Sequence, residues 1–382
     1  MTVGSNRRQA LEHLSQGGTT RLDFANIERG VEQISTYAQA HPLRAVLATD
    51  EATTVLAAAA AAALDLRCNP PEAVRDCIDK YRLRCRLADA GLPRPGFRRV
   101  SRDEDAALLA PEIDYPCVLK PLSLSASRGV IRADDEAGFV SAFQRIGRLL
   151  DDPATTAPRE TRRYILVEDY VPGVEVALEA LLDDGELQLL ALFDKPDPLV
   201  GPFFEETLYI TPSRLACTVQ DAILAAVAQA VRALGLHDGP IHAELRLGPR
   251  GPVVIELAPR SIGGLCGRTL RFGVGVSLEE LIVRHALRLP IESLGRERSP
   301  AGVMMLPIPR AGRLRAVEGL ERARALPGIE DITIAIHLGQ PVVPLPEGHR
   351  YLGFAFARAE TAAAVETALR SANAALRFDI GE

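Results

Sequence analysis

The chain has no tryptophan, a bias that accompanies its many alanines and arginines and reflects genome composition more than function. It has no excess of positive charge. Forty-four Lys and Arg stand against 50 Asp and Glu, for a net charge of −6 and a pI near 5.8. That balance removes any general electrostatic case for nucleic acid or an anionic membrane as partner. It has no CxxC pair. Cys68, Cys77, Cys85, Cys117, Cys217 and Cys266 are scattered, which reads as free thiols in a reducing cytoplasm, not a disulfide frame or a zinc site. It has no basic-plus-apolar leader. The Ala-rich run Val55 to Leu66 is about a dozen residues, too short to span a bilayer, and reads as a buried helix. There is no fixed-period repeat, no G-x-x-x-x-G-K-[ST] phosphate loop, no G-x-S-x-G or triad signature, and the seven histidines form no metal-spaced cluster.

What is present is an ordinary globular composition, 47% hydrophobic and 25% charged, spread over 382 residues. That length predicts about two to four lobes. Leu43 to Thr49 reads as a buried strand and Glu51 to Leu66 as a helix. Asp79 caps a helix from Lys80 to Ala90, which Gly91 ends. Strands are expected at Gly96 to Val100, Tyr115 to Lys120, Val130 to Arg132 and Tyr164 to Glu168. Asp134 or Asp135 caps a helix to about Leu150, and Asp151 to Thr161 is a polar loop. A hairpin pairs Val174 to Leu182 with Leu187 to Phe193. Helices follow at Thr218 to Leu234 and, with Ser277 as cap, Ser277 to Leu287. From about residue 299 short strands alternate with helices, which reads as a separate α/β lobe.

The richest segment is a hairpin, Ile241 to Leu247 and Val253 to Leu257, about the turn Gly248-Pro249-Arg250-Gly251-Pro252. Alternation puts His242, Glu244 and Arg246 on one face, and Glu256 on a face with Val254 and Ala258. The turn brings Glu244 and Glu256 nearly opposite each other. Two carboxylates so placed destabilise a sheet unless a cation lies between them, and Mg²⁺ is the natural hard ion for carboxylates plus phosphates. Arg260 adds a fixed cation where a phosphate would lie. The plainer alternative is a hairpin with two solvated glutamates.

Other candidates carry a similar ambiguity. Lys80 and Lys120 sit at element boundaries, as surface charges or as phosphate contacts. The small-residue loop Ser123 to Gly129, with Ser125, Ser127 and Arg128, is an ordinary turn or a cover over phosphates. Glu168 ends a buried strand ahead of Asp169-Tyr170-Val171, an exposed turn or a reader of a nucleobase edge. Glu175 is placed for ribose hydroxyls. In the stiff loop Phe193 to Glu206, Lys195 is a candidate for a phosphate and Glu205 or Glu206 for an amine, against solvated loop charges. His242 is a satisfied structural histidine or a site residue.

Four pieces occur in a telling order: Asp79-Lys80; Pro116-Cys117-Val118-Leu119-Lys120-Pro121 with its loop to Arg128-Gly129-Val130; Val167-Glu168-Asp169-Tyr170-Val171-Pro172-Gly173-Val174-Glu175; and His242-Ala243-Glu244-Leu245-Arg246 with Ile255-Glu256-Leu257-Ala258-Pro259-Arg260. This order, over residues 79 to 290, resembles the ATP-grasp superfamily. Phe193-Asp194-Lys195-Pro196-Asp197-Pro198, Arg260-Ser261-Ile262-Gly263-Gly264-Leu265-Cys266 and the C-terminal segment look most like its L-amino-acid ligase, or dipeptide synthase, branch.

The resemblance implies an α/β fold of α+β lobes: a short Rossmann-like N-terminal lobe (1–96), a lid (97–168) hinged at Gly96 and near Glu168, a core with the metal site (169–298) and a C-terminal α/β lobe (299–382). It implies ATP with Mg²⁺, or Mn²⁺ in its place. Lys80, Lys120, Ser125, Ser127, Arg128, Glu168, Tyr170, Val171, Glu175 and His242 would contact the nucleotide, and Glu244 and Glu256 the metal. Arg260, Lys195 and Glu256 would serve the chemistry. Glu205, Glu206, Gly263, Gly264 and Leu265 would meet substrate, with Phe203 and Phe204 helping to shape the acyl pocket. The implied activity is a cytoplasmic carboxylate-amine ligase that forms an acylphosphate from an amino acid or other small carboxylate and couples it to an amine. Its partners are small molecules, without nucleic acid or membrane, and a homodimer is compatible. The alternatives are a biotin-carboxylase-like or purine-pathway-like carboxylase, or a nucleotide binder without catalysis. Two departures bear on this. Many relatives have Asn where Ala258 stands, two residues after the second metal glutamate. Relatives also usually have a further strand-helix-strand ahead of the part that Arg21-Leu22-Asp23-Phe24 begins.

Overall fold

The computed structural model describes residues 2–5, 19–153, 155 and 157–382. The remainder of the expected N-terminal lobe (1 and 6–18) and two positions of the expected 151–161 loop lie outside the described residues. The described N-terminal part is mostly helical. Three of its helices start where a short polar side chain takes up free backbone N–H groups. Asn26 caps Ile27–Ala40, Asp50 caps Glu51–Ala63, and Asp79 caps Lys80–Asp89 by accepting from the Tyr81 and Arg82 amides. The last of these stops at Gly91, whose φ of +66° suits glycine. Val3–Ser5 and Thr19–Arg21 pair in parallel, among the described residues only with each other.

The strand expected at 43–49 is not formed. Among the described residues it pairs with no strand. Leu43 and Val46 instead pack, partly buried, against Leu22, Ile34, Leu56 and Ala60.

The segment 97–168 holds a four-stranded antiparallel sheet, in the order Phe97–Ser101, Tyr164–Asp169, Cys117–Pro121, Ile131–Ala133. The helix Glu136–Asp151, capped by Asp135, covers one face. Phe139, Phe143 and Ile146 from the helix close a core with Val100, Leu119, Ile165 and Val167.

The rest is built on one eight-stranded antiparallel sheet. Its order is Gly251–Ala258, Gly239–Gly248, Val174–Asp183, Glu186–Asp194, Leu208–Thr211, Ala301–Leu306, Gly353–Arg358, Ile329–Ile334. The sheet is covered on both faces, which explains why Val176 to Leu182 is buried without alternation. On one face lies the helix Cys217–Leu234. Burying its Ile223, Val227, Val231 and Leu234 against Leu178, Ile241, Leu245 and Leu257 is worth roughly 1.5–3 kcal/mol per side chain. By length and composition this helix could cross a membrane, but here it packs on the sheet. On the other face Leu278 and Leu281 of the Ser277-capped helix Leu278–Ala286 meet Leu181, Val303 and Phe356. The expected boundary at 298/299 falls inside this continuous sheet, because Ala301–Leu306 bonds directly to Leu208–Thr211.

Candidate active site

Register builds the centre of the site. The strands Gly239–Gly248 and Gly251–Ala258 pair so that Glu244 lies directly opposite Glu256. One expectation needs correcting. Leu245 pairs with Val254, so Ile255 is the extra residue of a β-bulge. An unbroken strand would put Val254 on the face of Glu256. The bulge instead turns Val254 into the core beside Leu245, and leaves Ile255 and Glu256 both facing a cavity of about 360 Å³. Re-aiming a side chain is a common use of a bulge.

The four-stranded sheet supplies one wall of that cavity. Lys120, at the end of its strand, is buried, and its Nζ donates to Glu168 Oε2 at 2.5 Å. The other oxygen of Glu168 accepts from Arg84 Nε at 2.6 Å. Burial alone would raise the Glu168 pKa, but Arg84 and Lys120 outweigh it and hold the carboxyl below its usual value. Lys80 Nζ donates to the Leu124 carbonyl at 2.7 Å and lies 3.7 Å from Glu256 Oε2, which ties the small-residue loop to the glutamate pair. Ser125 and Ser127 line the cavity. Arg128 does not: its Nε donates to the Glu347 carbonyl at 2.9 Å, and the adjacent Gly129 amide to the Pro346 carbonyl at 2.8 Å. Tyr170 and Val171 reach the cavity. Tyr170 stacks on Phe204 with ring centroids 6.5 Å apart, and Arg132 and Arg246 lie 4.2 and 5.2 Å from its centroid.

The large sheet supplies the opposite wall. Lys195 is buried, and its Nζ bonds Glu175 Oε1 at 2.8 Å, Glu206 Oε1 at 2.5 Å and Glu244 Oε1 at 2.9 Å. It is therefore behind the carboxylates and not in the cavity wall, which corrects its expected reach to a phosphate. Burial would lower the Lys195 pKa, but the three carboxylates carry it well above the lysine range. Burial and then Glu244 push Glu206 up to about 7. Against burial, Lys195 and His242 hold Glu244 well below the usual range. His242 contacts Glu179 through Nδ1 and has Nε2 3.4 Å from Glu244. Burial opposes its charge, yet Glu179 and Glu244 raise its pKa to about 10. The second oxygen of Glu175 accepts from Arg246 Nε at 2.9 Å.

At the far end Arg260 Nη2 is 2.6 Å from Glu51 Oε2 and 3.9 Å from Glu256 Oε1. Gly263 and Gly264 line this end. Gly264 has φ +63°, and a Cβ there would lie 2.9 Å from Phe354 Cε1. Glu205 and Leu265 stay out of the cavity wall: burial raises the Glu205 carboxyl, and Leu265 packs against the sheet core.

Sequence reasoning missed Arg84, Glu51, Arg246 and Glu179. Arg84 left a trace, since it follows Lys80 by four residues on one helix and so shares its face. Glu51 left none, because a glutamate in a first helical turn is ordinary capping chemistry.

Glu244 and Glu256 offer oxygen donors suited to a hard divalent ion. Glu175, Glu206 and Glu244 also bring oxygens within 4.8 Å of one another, but the Lys195 ammonium already bonds all three. Asp183, Asp238 and His285 form another such group, into which Arg67 projects, 2.6 Å from both aspartates.

Comparison with known proteins agrees with this geometry. Residues 113–269 match the ATP-grasp domain, and residues 304–381 match the L-amino acid ligase C-terminal domain 2. The alanine–anticapsin ligase of Bacillus subtilis (strain 168) is 28% identical over 269 residues, 67% of this chain and 56% of that protein. This chain thus spans little more than half the length of that relative. The crystal structure of L-amino acid ligase from Bacillus licheniformis superposes with a TM-score of 0.83 at 27% identity, covering 95% of this chain and 88% of that one. A carboxyaminoimidazole ribonucleotide synthase from Aspergillus clavatus, solved with ATP, gives 0.72 at 18% identity, covering 94% and 87%; that likeness concerns the fold alone. Two sheets clamping a cavity walled by lysines, arginine and paired glutamates, with these matches in this order, identify an ATP-grasp domain in this chain, followed by a C-terminal domain like that of the L-amino acid ligases.

Proposed function

We propose that this protein is an ATP-dependent carboxylate-amine ligase whose substrates are an amino acid, or another small carboxylate, and an amine, most simply a second amino acid. The observation that carries the reading is the rung Glu244–Glu256 facing a cavity that Lys80, Lys120 and Arg260 also line. The names of the relatives, alanine–anticapsin ligase and L-amino acid ligase, support the substrate class.

A carboxylate does not acylate an amine at neutral pH, because its leaving group is poor. Transfer of the terminal phosphoryl group of ATP to the carboxylate releases ADP and gives an acylphosphate. The amine attacks its carbonyl, loses a proton and expels phosphate. Such transfer asks a protein mainly for positioning and charge neutralisation, and this cavity has cations and carboxylates to offer. Glu244 and Glu256 would hold Mg²⁺, or Mn²⁺, which supplies charge neutralisation on the phosphates when bound. Lys195 orients Glu244 from behind. Lys80 and Lys120 supply positive charge on the lid side, and Arg260, steadied by Glu51, on the substrate side. Ser125 and Ser127 belong to the loop that would exclude water from the acylphosphate. The stack of Tyr170 on Phe204 suits a nucleobase.

The test is ADP release from ATP over pairwise amino-acid mixtures, with product mass read in parallel. ADP with a mass equal to two amino acids less water is expected. ADP release with bicarbonate and no amino acid, or ATP binding without release in any mixture, would overturn the reading.

A further inference from the structure

Arg84 is not in the cavity wall, yet it is fully buried, at 0% exposure. Its guanidinium makes two bonds of different kinds. Nε donates to Glu168 Oε1 at 2.6 Å, and Nη2 to the Ile255 carbonyl at 2.7 Å. The first partner belongs to the four-stranded sheet, and its other oxygen holds the Lys120 ammonium at 2.5 Å. The second partner is the bulged residue beside Glu256. A bulge leaves backbone groups out of the ladder, and Gly251–Ala258 is the outer strand of its sheet. Among the described residues no further strand bonds the Ile255 carbonyl, so an unpaired acceptor would be left beside the site without Arg84.

The same residue carries a cost. Arg84 Nη1 is buried with no hydrogen-bond partner among the described residues, and an unmet buried donor is unfavourable. Stability alone would favour a smaller or fully bonded side chain here. The planar guanidinium fork, with its separated donors, is instead what reaches two acceptors on two sheets from this position.

We propose that Arg84 is a positioning residue: it couples the orientation of Lys120 to the bulge that aims Glu256 into the cavity, and so sets the nucleotide and divalent-cation contacts together. This rests on the ATP-dependent reading above, and the test separates the two.

Arg84→Lys and Arg84→Met are compared with wild type in the full chain. The measurements are melting temperature, equilibrium ATP binding as Mg²⁺ is varied, and steady-state ADP release with a productive amino-acid pair. Lysine retains a cation for Glu168 but gives up the Ile255 carbonyl. Arg84→Lys is therefore expected to bind ATP nearly as wild type, while its half-saturating Mg²⁺ rises by about tenfold or more, the size of one lost charge-assisted hydrogen bond. Arg84→Met is expected to weaken both. The proposal is overturned if Arg84→Lys has the wild-type Mg²⁺ requirement, if its ATP and Mg²⁺ constants move by the same factor, or if it fails to fold, which would make Arg84 a residue of the fold alone. Should wild type bind ATP with Mg²⁺ yet turn over no amino-acid pair, the ligase reading falls while the binding arm still decides on Arg84. Should wild type bind no ATP, both fall.

Discussion

A lysine bonded to three carboxylates, behind one wall of the cavity, and a glutamate bonded to two cations, in the other, are both arrangements in which removing one charge strands the others. Glu168 allows this to be tested by pH. Arg84 and Lys120 depress its folded-state pKa, so its stabilising contribution is present above the unfolded-state value, about 4.3, and fades as pH falls through the folded-state value. The melting temperature should therefore drop on acidification below about pH 4. Glu168→Gln should cost about 3–5 kcal/mol at neutral pH, because two buried cations lose their anion, and should flatten the acid limb, as read by thermal melts across pH. Glu256 is different, being partly open to the cavity and near Lys80 and Arg260 at 3.7 and 3.9 Å. Glu256→Ala should leave the melting temperature close to wild type and lower Mg²⁺-dependent turnover by on the order of a hundredfold or more, the scale of lost metal charge stabilisation. Wild-type turnover in that variant would remove the metal assignment.

At the scale of elements, the hairpin Val174–Asp183 and Glu186–Asp194, the glutamate hairpin and the helix Lys80–Asp89 could be read from the chain, because turn residues and caps are local signals. Gly173 shows how local such a signal can be. It has φ +114°, and a Cβ there would sit 2.1 Å from the Leu247 carbonyl oxygen. Gly173→Ala should destabilise the protein by at least about 2 kcal/mol, measured by denaturant unfolding. What could not be read were features set by distant partners. The 43–49 segment has the composition of a strand, but its apolar residues Leu43 and Val46 are taken up by packing against the neighbouring helices, partners that no local signal names. Val254 and Ile255 are both β-branched and apolar, so alternation alone does not reveal which is bulged, and the face of Val254 came out reversed. The near opposition of Glu244 and Glu256 was legible from the turn, but counting back from it puts Glu244 against Ile255, and the bulge supplies the last residue of register. The roles of Arg84 and Glu51 were not legible, because their partners Glu168, Ile255 and Arg260 lie 84 to 209 residues away.

At the scale of the molecule, the loop over the cavity is fastened to the distal end of the chain. Gly129 and Arg128 bond the backbone of Pro346 and Glu347, and Arg145 makes a two-pronged bridge to the Glu347 carboxylate at 2.6 and 2.9 Å. That bridge is partly exposed, so Glu347→Gln should change stability by less than about 1 kcal/mol. If the fastening keeps water from the acylphosphate, the variant should release more ADP per ligated product than wild type, read by parallel ADP and product assays. An unchanged ratio would show that the fastening has no part in coupling.

The shared sheet has a further consequence. The two family-matched segments, 113–269 and 304–381, are joined through a backbone ladder in which Ala301, Gly302, Val303 and Met304, at the entry to the second, pair with Thr211, Ile210, Tyr209 and Leu208 of the first. Gene fusions that traded away the last eighty or so residues would leave a long naked edge open to sticking to other chains. Descendants of this protein can therefore vary what the tail decorates, but a replacement tail must bring a strand that zips onto Tyr209 and its neighbours.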